Sequence, residues 1–248
     1  MSPNIIFLVP YRDRKQHLEI FSKHMENVLS DLERETYRIL YIHQTDSRPF
    51  NRGAMKNIGF LYVKETYPDV YKEITLVFND VDTMPKRKDL IDYKTTKGIV
   101  KHHYGFAFTL GGILSMNAGD FEVTGGFPNF WSWGYEDNAL QKRVLKNSIE
   151  IDRSNMYEIG SKDIIHLKDE PEKMVNKEEY HLYRKQSSEG YKNIIDLEYR
   201  FNGDTDLLDV LSFNTGREIN YKYSKYHKMS NGNKPFKKRN ALMGMIFS

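Results

Sequence analysis

The chain opens on a short apolar run closed by proline, residues 5–10 (IIFLVP), set between polar neighbours. Such a run, rich in branched side chains, predicts a buried strand. The polar segment after it starts an amphipathic helix through Leu18, Phe21, Met25 and Leu29, whose spacing keeps one face apolar. A second run at 37–43 (YRILYIH) predicts a strand ahead of a helix carrying Met55, Ile58, Gly59, Leu61 and Tyr62. A third at 74–78 (ITLVF) runs into Asn79, Asp80, Val81 and Asp82. Strands alternating with helices at this spacing form βα units, so the expected fold class is α/β, a mainly parallel central sheet covered on both faces by helices.

Past Pro85 the pattern loosens. A strand is expected at 105–110, followed by Gly111 and Gly112 and an apolar stretch at 113–116. A helix is expected at 137–145, partial helix within 171–190, and edge strands within 194–210. Neither an internal repeat nor a low-complexity linker interrupts the chain. The economical division is one domain over residues 1–220 and a basic tail over 221–248.

At 248 residues with 39% hydrophobic and 29% charged positions, the composition is that of an ordinary globular protein with enough apolar residues for a sizeable core. There is no cysteine, so disulfides and thiolate metal sites are excluded and a reducing compartment is favoured. Five apolar residues before Pro10 fall far short of a signal or spanning segment, so no transmembrane segment is expected and the expected location is cytoplasmic. The net charge is +3, but residues 221–248 hold seven Lys or Arg and no acid, leaving about −4 for the rest. A short basic tail can touch an anionic polymer or lipid, yet the acidic body is not a nucleic-acid surface, and no nucleic-acid partner is expected.

Candidate chemistry concentrates at three places. Residues 125–138 (GGFPNFWSWGYEDN) hold both tryptophans, Trp131 and Trp133, beside Glu136 and Asp137. Aromatic faces next to a carboxylate suit a sugar ring, which stacks its C–H surface while a carboxylate takes a hydroxyl proton. The plainer alternative is a core tryptophan pair followed by an acidic helix N-terminus. Asp80 and Asp82 follow the third strand, where ligands of open parallel sheets bind, and two carboxylates there suggest a divalent cation. In an extended segment both face one ion; in a turn they diverge, one to the ion and one to a ribose or water. Asp163 and His166 (DIIH) offer further ligands, and oxygen donors with an imidazole suit Mn²⁺ especially and Mg²⁺ less. Arg12 and Arg14 follow the first strand and Arg52 the second, so three guanidinium forks gather near the acidic pair, as a nucleotide requires, with Tyr11 or Phe50 available to a base. There is no G-x-G-x-x-G and no Walker A sequence.

Taken in order, VPYRDR at 9–14, FNRG at 50–53, NDVD at 79–82, GGIL at 111–114, GGFPNFWSWGYED at 125–137 and IIHLKD at 164–169 resemble the β-1,4-galactosyltransferase family. These are inverting enzymes of GT-A fold that use a UDP-sugar and manganese. GGIL and the HL-x-D piece resemble especially the branch that galactosylates xylose. The resemblance implies that Pro10, Tyr11, Arg12, Arg14, Phe50, Arg52, Asp80, Val81, Thr109 and Gly112 line the UDP-sugar donor site. It implies metal ligation by Asp82 and His166, an acceptor site of Trp133, Gly134, Glu136, Asp137 and Asn138, and Asp137 as general base with Glu136 beside it. The expected reaction moves galactose or GalNAc from a UDP-sugar to a saccharide or glycoconjugate hydroxyl, forming a β-linkage. The alternative is a catalytically inactive, lectin-like relative.

Four positions depart from the family pattern. Asn138 stands where a third acidic residue is usual, so acceptor choice is expected to differ. Thr109 replaces a tyrosine that limits room around C2 of the donor sugar, and the smaller side chain admits the N-acetyl group of UDP-GalNAc. Asp163 stands where one branch has methionine, and Lys168 where the xylose branch has a second histidine, so Asp163 is the expected third metal ligand. The family's membrane anchor and disulfides have no counterpart, so secretory residence is not expected.

Overall fold

Every residue of the first strand, β1 (Ile5–Tyr11), is buried. Its odd positions Ile5, Phe7 and Val9 join a core with Phe21 and Met25 of α1 (Lys15–Val28), and its even positions Ile6 and Leu8 join a second core with Met55 and Ile58 of α2 (Arg52–Thr66). Alternating side chains that are apolar on both faces are what a central strand needs when helices cover both sides. The computed structural model describes residues 2–168, 172–185, 188–219 and 221–228.

Along the chain the remaining elements are β2 (Tyr37–Gln44), β3 (Thr75–Asn79), β4 (Thr83–Pro85), β5 (Ile99–Gly105), β6 (Ile113–Asn117), α3 (Ala118–Thr124), α4 (Glu136–Lys146), β7 (Glu150–Asp152), β8 (Tyr157–Glu158), β9 (Ile164–His166), β10 (Glu172–Asn176), α5 (Lys177–Arg184), β11 (Ile195–Asn202), β12 (Leu207–Asn214) and β13 (Ser224–Lys228). Among the described residues the main sheet runs β11-β12-β2-β1-β3-β6-β5-β7, with β8 also on β5. From β12 to β3 neighbours are parallel, β6 is antiparallel to both β3 and β5, and β7 and β8 are parallel to β5. The sheet is therefore mixed and mostly parallel. Because β1, β2 and β3 share one direction, the segments that follow them leave the sheet at a single edge.

Two expectations change. The strand expected at 105–110 ends where it was to begin: β5 covers Ile99–Gly105, and the next residues turn back so that Thr109 N donates to the Phe106 carbonyl at 3.1 Å. Gly105 sits at φ +145, and a Cβ there would lie 2.4 Å from the Gly111 carbonyl oxygen, so the chain bends at a point only glycine tolerates. Phe106 and Phe108, whose apolar character suggested a strand, are 46% and 62% exposed. Secondly, residues 224–228, expected in the tail, form β13 and pair antiparallel with β10. Lys234, Lys237, Lys238 and Arg239 lie outside the described residues. Among the described residues no helix is long and apolar enough to cross a membrane.

Candidate active site

The shared edge of β1, β2 and β3 gathers the residues expected around a donor. Pro10 and Tyr11 end β1, and the Tyr11 ring lies 4.9 Å from that of His43 at the end of β2. Burial pushes the Tyr11 hydroxyl above its ordinary pKa. Arg12 donates to the Arg48 carbonyl and pairs with Asp13 at 3.0 Å, while Arg14 Nη1 stands 3.4 Å from Asp82 Oδ2. Phe50 packs against the core, and Val81 is buried in the turn between Asp80 and Asp82. Thr109 is buried, with its hydroxyl unpartnered among the described residues. Gly112, at φ +83, passes so close to Tyr104 that a Cβ would lie 2.3 Å from its carbonyl oxygen.

The segment 125–135 reaches this edge because α2 holds it. Asn51 caps α2 by accepting from Ala54 N at 2.9 Å and donates its amide to the Asn129 carbonyl at 3.0 Å. Nearly two turns on, Asn57 donates to the Phe127 carbonyl and to Asn129 Oδ1, both at 2.7 Å, and accepts from Phe127 N at 2.9 Å. Between them Gly53 leaves no room for a side chain, since a Cβ would lie 2.1 Å from the Pro128 carbonyl oxygen. The two tryptophans then part company. Trp131 is core, stacked on Phe213 at 5.4 Å beneath the Arg48 guanidinium, whereas Trp133 is half-buried and donates its backbone N–H to the Met174 carbonyl at 2.7 Å.

The chain next turns through Gly134 (φ +105) and Tyr135 (φ +70) into α4, which starts with Glu136 and Asp137. There three carboxylates meet two cations. Arg52 Nη2 lies 2.6 Å from Glu136 Oε1 and 3.0 Å from Asp137 Oδ2, and Arg52 Nη1 lies 3.5 Å from Asp80 Oδ2. Lys56, one helical turn beyond Arg52, places Nζ 3.3 Å from Asp137 Oδ1. Burial disfavours the Arg52 charge, but Asp80, Glu136, Asp137 and Asp82 outweigh it and hold the guanidinium well above its ordinary pKa. Burial likewise opposes ionisation of Asp80, yet Arg52, Lys56 and Arg14 keep its carboxyl below the usual range. At Glu136 burial wins: the carboxyl is pushed up against the pull of Arg52, and the Asp137 charge adds to the rise. Asp80 Oδ1 and Glu136 Oε2 are buried without a hydrogen-bond partner among the described residues, so the site keeps acceptor capacity that the protein does not fill. Asn138 turns away, donating to the Phe108 carbonyl at 3.3 Å.

On the metal side the structure joins two expected ligands and separates the third. β4 and β9 pair so that Thr83 faces His166, and Leu167 N donates to the Asp82 carbonyl at 2.8 Å, which sets Asp82 beside His166. The His166 Nδ1 is hydrogen-bonded with the Tyr104 hydroxyl at 3.1 Å, leaving Nε2 for a ligand. Asp163 lies at the other end of β9, where its carbonyl accepts from Lys86 N at 2.8 Å. Three residues of extended chain put it about 10 Å from His166 and on the opposite face, so it does not join the pair. Among the described residues no three acidic or histidine side chains are grouped so as to hold one metal ion. An oxygen and an imidazole nitrogen fit Mn²⁺ as a partial ligand set whose remaining positions a diphosphate can fill.

The sequence reading missed three contributors. Lys56 was not singled out, although Arg52 and Lys56 stand four apart on one helix face; a lysine in a helix ordinarily reads as solvated. Tyr104 gave no signal beyond an aromatic in an apolar stretch, yet it holds His166, and burial together with Asp82 and Asp80 pushes its hydroxyl pKa up. Gly111 passes so close that a Cβ would lie 2.6 Å from Asp137 Oδ2, so the second glycine-rich turn leaves room for the carboxylate.

Residues 2–95 match the family described as the N-terminal region of glycosyl transferase group 7, and residues 98–169 match the N-terminal domain of galactosyltransferase. Xylosylprotein 4-beta-galactosyltransferase of Caenorhabditis elegans is 30% identical over 155 residues, 59% of this chain and 52% of that protein. Human beta-1,4-galactosyltransferase 4 is 29% identical over 179 residues, 66% of this chain and 49% of its own length. The chain thus spans about half the length of the curated relatives it matches. The catalytic domain of Drosophila beta1,4galactosyltransferase 7, solved with xylobiose, superposes with a TM-score of 0.65 at 23% identity, over 84% of this chain and 93% of that one. That likeness carries the fold, which is GT-A. With two consecutive family profiles matched in order over residues 2–169, the chain belongs to the β-1,4-galactosyltransferase family.

Proposed function

We propose that the protein is an inverting, metal-dependent glycosyltransferase that moves galactose or GalNAc from a UDP-sugar to a saccharide hydroxyl. The observation that carries this reading is the meeting of Asp137, on the acceptor segment, with Arg52 and Asp80 on the donor edge. Two half-sites from distant parts of the chain share one cluster of charges. Further support comes from a relative of the same fold, a mutant of the Drosophila enzyme that was solved with manganese, UDP-Gal and xylobiose.

In this reading Arg12, Arg14 and Arg52 neutralise the diphosphate, and Tyr11 packs against the nucleoside. Asp82 and His166 would hold Mn²⁺, which when bound would stabilise the charge on the departing diphosphate. Trp133 stacks the acceptor sugar, and an Asp137 oxygen accepts the proton of its hydroxyl while the new bond to the anomeric carbon forms and the bond to UDP breaks. Attack from the face opposite the leaving group inverts the configuration. Glu136 is too buried to meet an acceptor freely; its ion pair with Arg52 makes it a support for the turn into α4. Thr109, buried and small, leaves space beside the donor sugar, which brings UDP-GalNAc within reach of the same site.

A screen of UDP-sugars with Mn²⁺ and free saccharide acceptors, scored by UDP release, tests the proposal. It expects metal-dependent release with UDP-Gal or UDP-GalNAc that rises when an acceptor is present. Binding of sugar without any release would point to the lectin-like alternative, and absence of UDP-sugar binding would overturn the reading.

A further inference from the structure

Lys56 is 1% exposed, and among the described residues no other Lys or Arg is buried so completely. An ammonium removed from water is strongly disfavoured unless it is paired, so a lysine at this depth needs a compensating partner. Packing alone does not explain it, because an apolar side chain of similar length would fill the same space without that cost. Its surroundings are specific. Nζ stands 4.5 Å from the centroid of the Phe127 ring, and its one ion pair among the described residues is with Asp137, at 3.3 Å from Oδ1. Phe127 is itself fixed by Asn57, the next residue along α2. The ammonium is therefore held between a rigid aromatic face and a single carboxylate oxygen.

Arg52 and Lys56 divide their work. Arg52 spreads over Asp80, Glu136 and Asp137 and faces the donor edge, where a bound diphosphate would compete for its guanidinium. Lys56 makes no ion pair with the donor residues among those described. We infer that Lys56 is a positioning residue for transfer: it anchors Asp137 Oδ1 when the donor draws Arg52 away, so that Oδ2 stays aimed at the acceptor hydroxyl. This assignment rests on the reading of Asp137 as the base. A carboxylate released from that anchor would swing about its side-chain torsions, and a displacement of about 1 Å costs on the order of 10²-fold in rate.

The test compares Lys56→Met, Lys56→Gln and Asp137→Asn, alone and combined, in UDP-Gal transfer with Mn²⁺, with UDP affinity read by calorimetry. Lys56→Met should lower kcat roughly 10- to 100-fold while donor KM and UDP affinity stay within about twofold. Lys56→Gln, which keeps a donor toward Oδ1 without the charge and covers the case in which the methionine variant does not fold, should recover most of that loss. In the Asp137→Asn background the Lys56→Met change should shrink to less than about twofold, because the group it positions is gone. Wild-type kcat in Lys56→Met, a loss shared equally by UDP affinity, or a loss undiminished in the Asp137→Asn background would overturn the assignment. An inactive Asp137→Asn beside a fully active Lys56→Met would overturn it alone; a fully active Asp137→Asn would bring down the reading of the base as well.

Discussion

The donor edge and the acceptor segment of the site are built in different ways. Donor residues sit at the ends of β1, β2 and β3; β1, buried on both faces, pairs in parallel with β2 over Ile5–Tyr11 and with β3 over Ile5–Leu8. The acceptor segment has only the short α4 at its end. It bends through positive φ at Gly125, Gly126, Gly134 and Tyr135 and is tied to α2 by the side chains of Asn51 and Asn57. A strand end is placed by the whole sheet, whereas the acceptor loop is placed by separate ties: the side chains of Asn51 and Asn57, and the Trp133 N–H on the Met174 carbonyl. Damage to the sheet should therefore disable the molecule, and damage to the ties should disable acceptor chemistry first.

Three substitution experiments probe that contrast. The largest effect is expected on the donor side: Asp82→Ala should lower transfer by roughly 10³-fold or more and weaken Mn²⁺-dependent UDP binding, since it removes a metal ligand. Retained UDP binding that still responds to Mn²⁺ would show that the cation is held elsewhere. On the acceptor side, Asn57→Ala deletes three buried hydrogen bonds and strands the Phe127 backbone groups, which should cost roughly 3 kcal/mol in unfolding free energy. Its acceptor KM should rise by more than its UDP affinity falls; equal losses on both sides would deny that the two halves are separately built.

The smallest effect is a difference in pH response between the two halves. The folded-state pKa of Asp80 is lowered, so its contribution to stability is present above the ordinary aspartate range and is lost as pH falls through the lowered value. Glu136 is raised, so its contribution is present below the ordinary glutamate range and is lost as pH rises through the raised value. Relative to the parent protein, Asp80→Asn should gain thermal stability as pH falls, and Glu136→Gln should gain as pH rises. Parallel pH profiles for the two variants would contradict the opposite placements of the two carboxyls.

The same contrast explains what could be read from the sequence. The β1-α1-β2-α2-β3 half was legible because continuous apolar runs such as IIFLVP leave few alternatives to a buried parallel strand. Asp80, Asp82, Arg14 and Arg52 were legible with it, as residues that follow strands meeting at one edge. In the second half, periodicity loses its hold. Phe106 and Phe108 suggested a strand where Gly105 bends the chain, and Asp163 looked like a ligand because spacing in sequence does not reveal that β9 carries it away from His166. The tryptophan pair divides between its two expectations: Trp131 is core, and Trp133 is half-buried, where the sugar contact is a proposal. Lys56 stayed invisible for the opposite reason: the usual place of a lysine is the surface, and only the fold shows a carboxylate waiting beneath it.

The most direct test of a donor half joined to a base-bearing acceptor half is the Asp137→Asn protein, measured in parallel for UDP affinity with Mn²⁺ and for transfer from UDP-Gal. A base-bearing acceptor half joined to the donor half gives this variant UDP affinity close to that of the parent protein and turnover lower by about 10²- to 10⁴-fold, the usual worth of a positioned base. Near-normal turnover, or UDP affinity lost together with turnover, would contradict it.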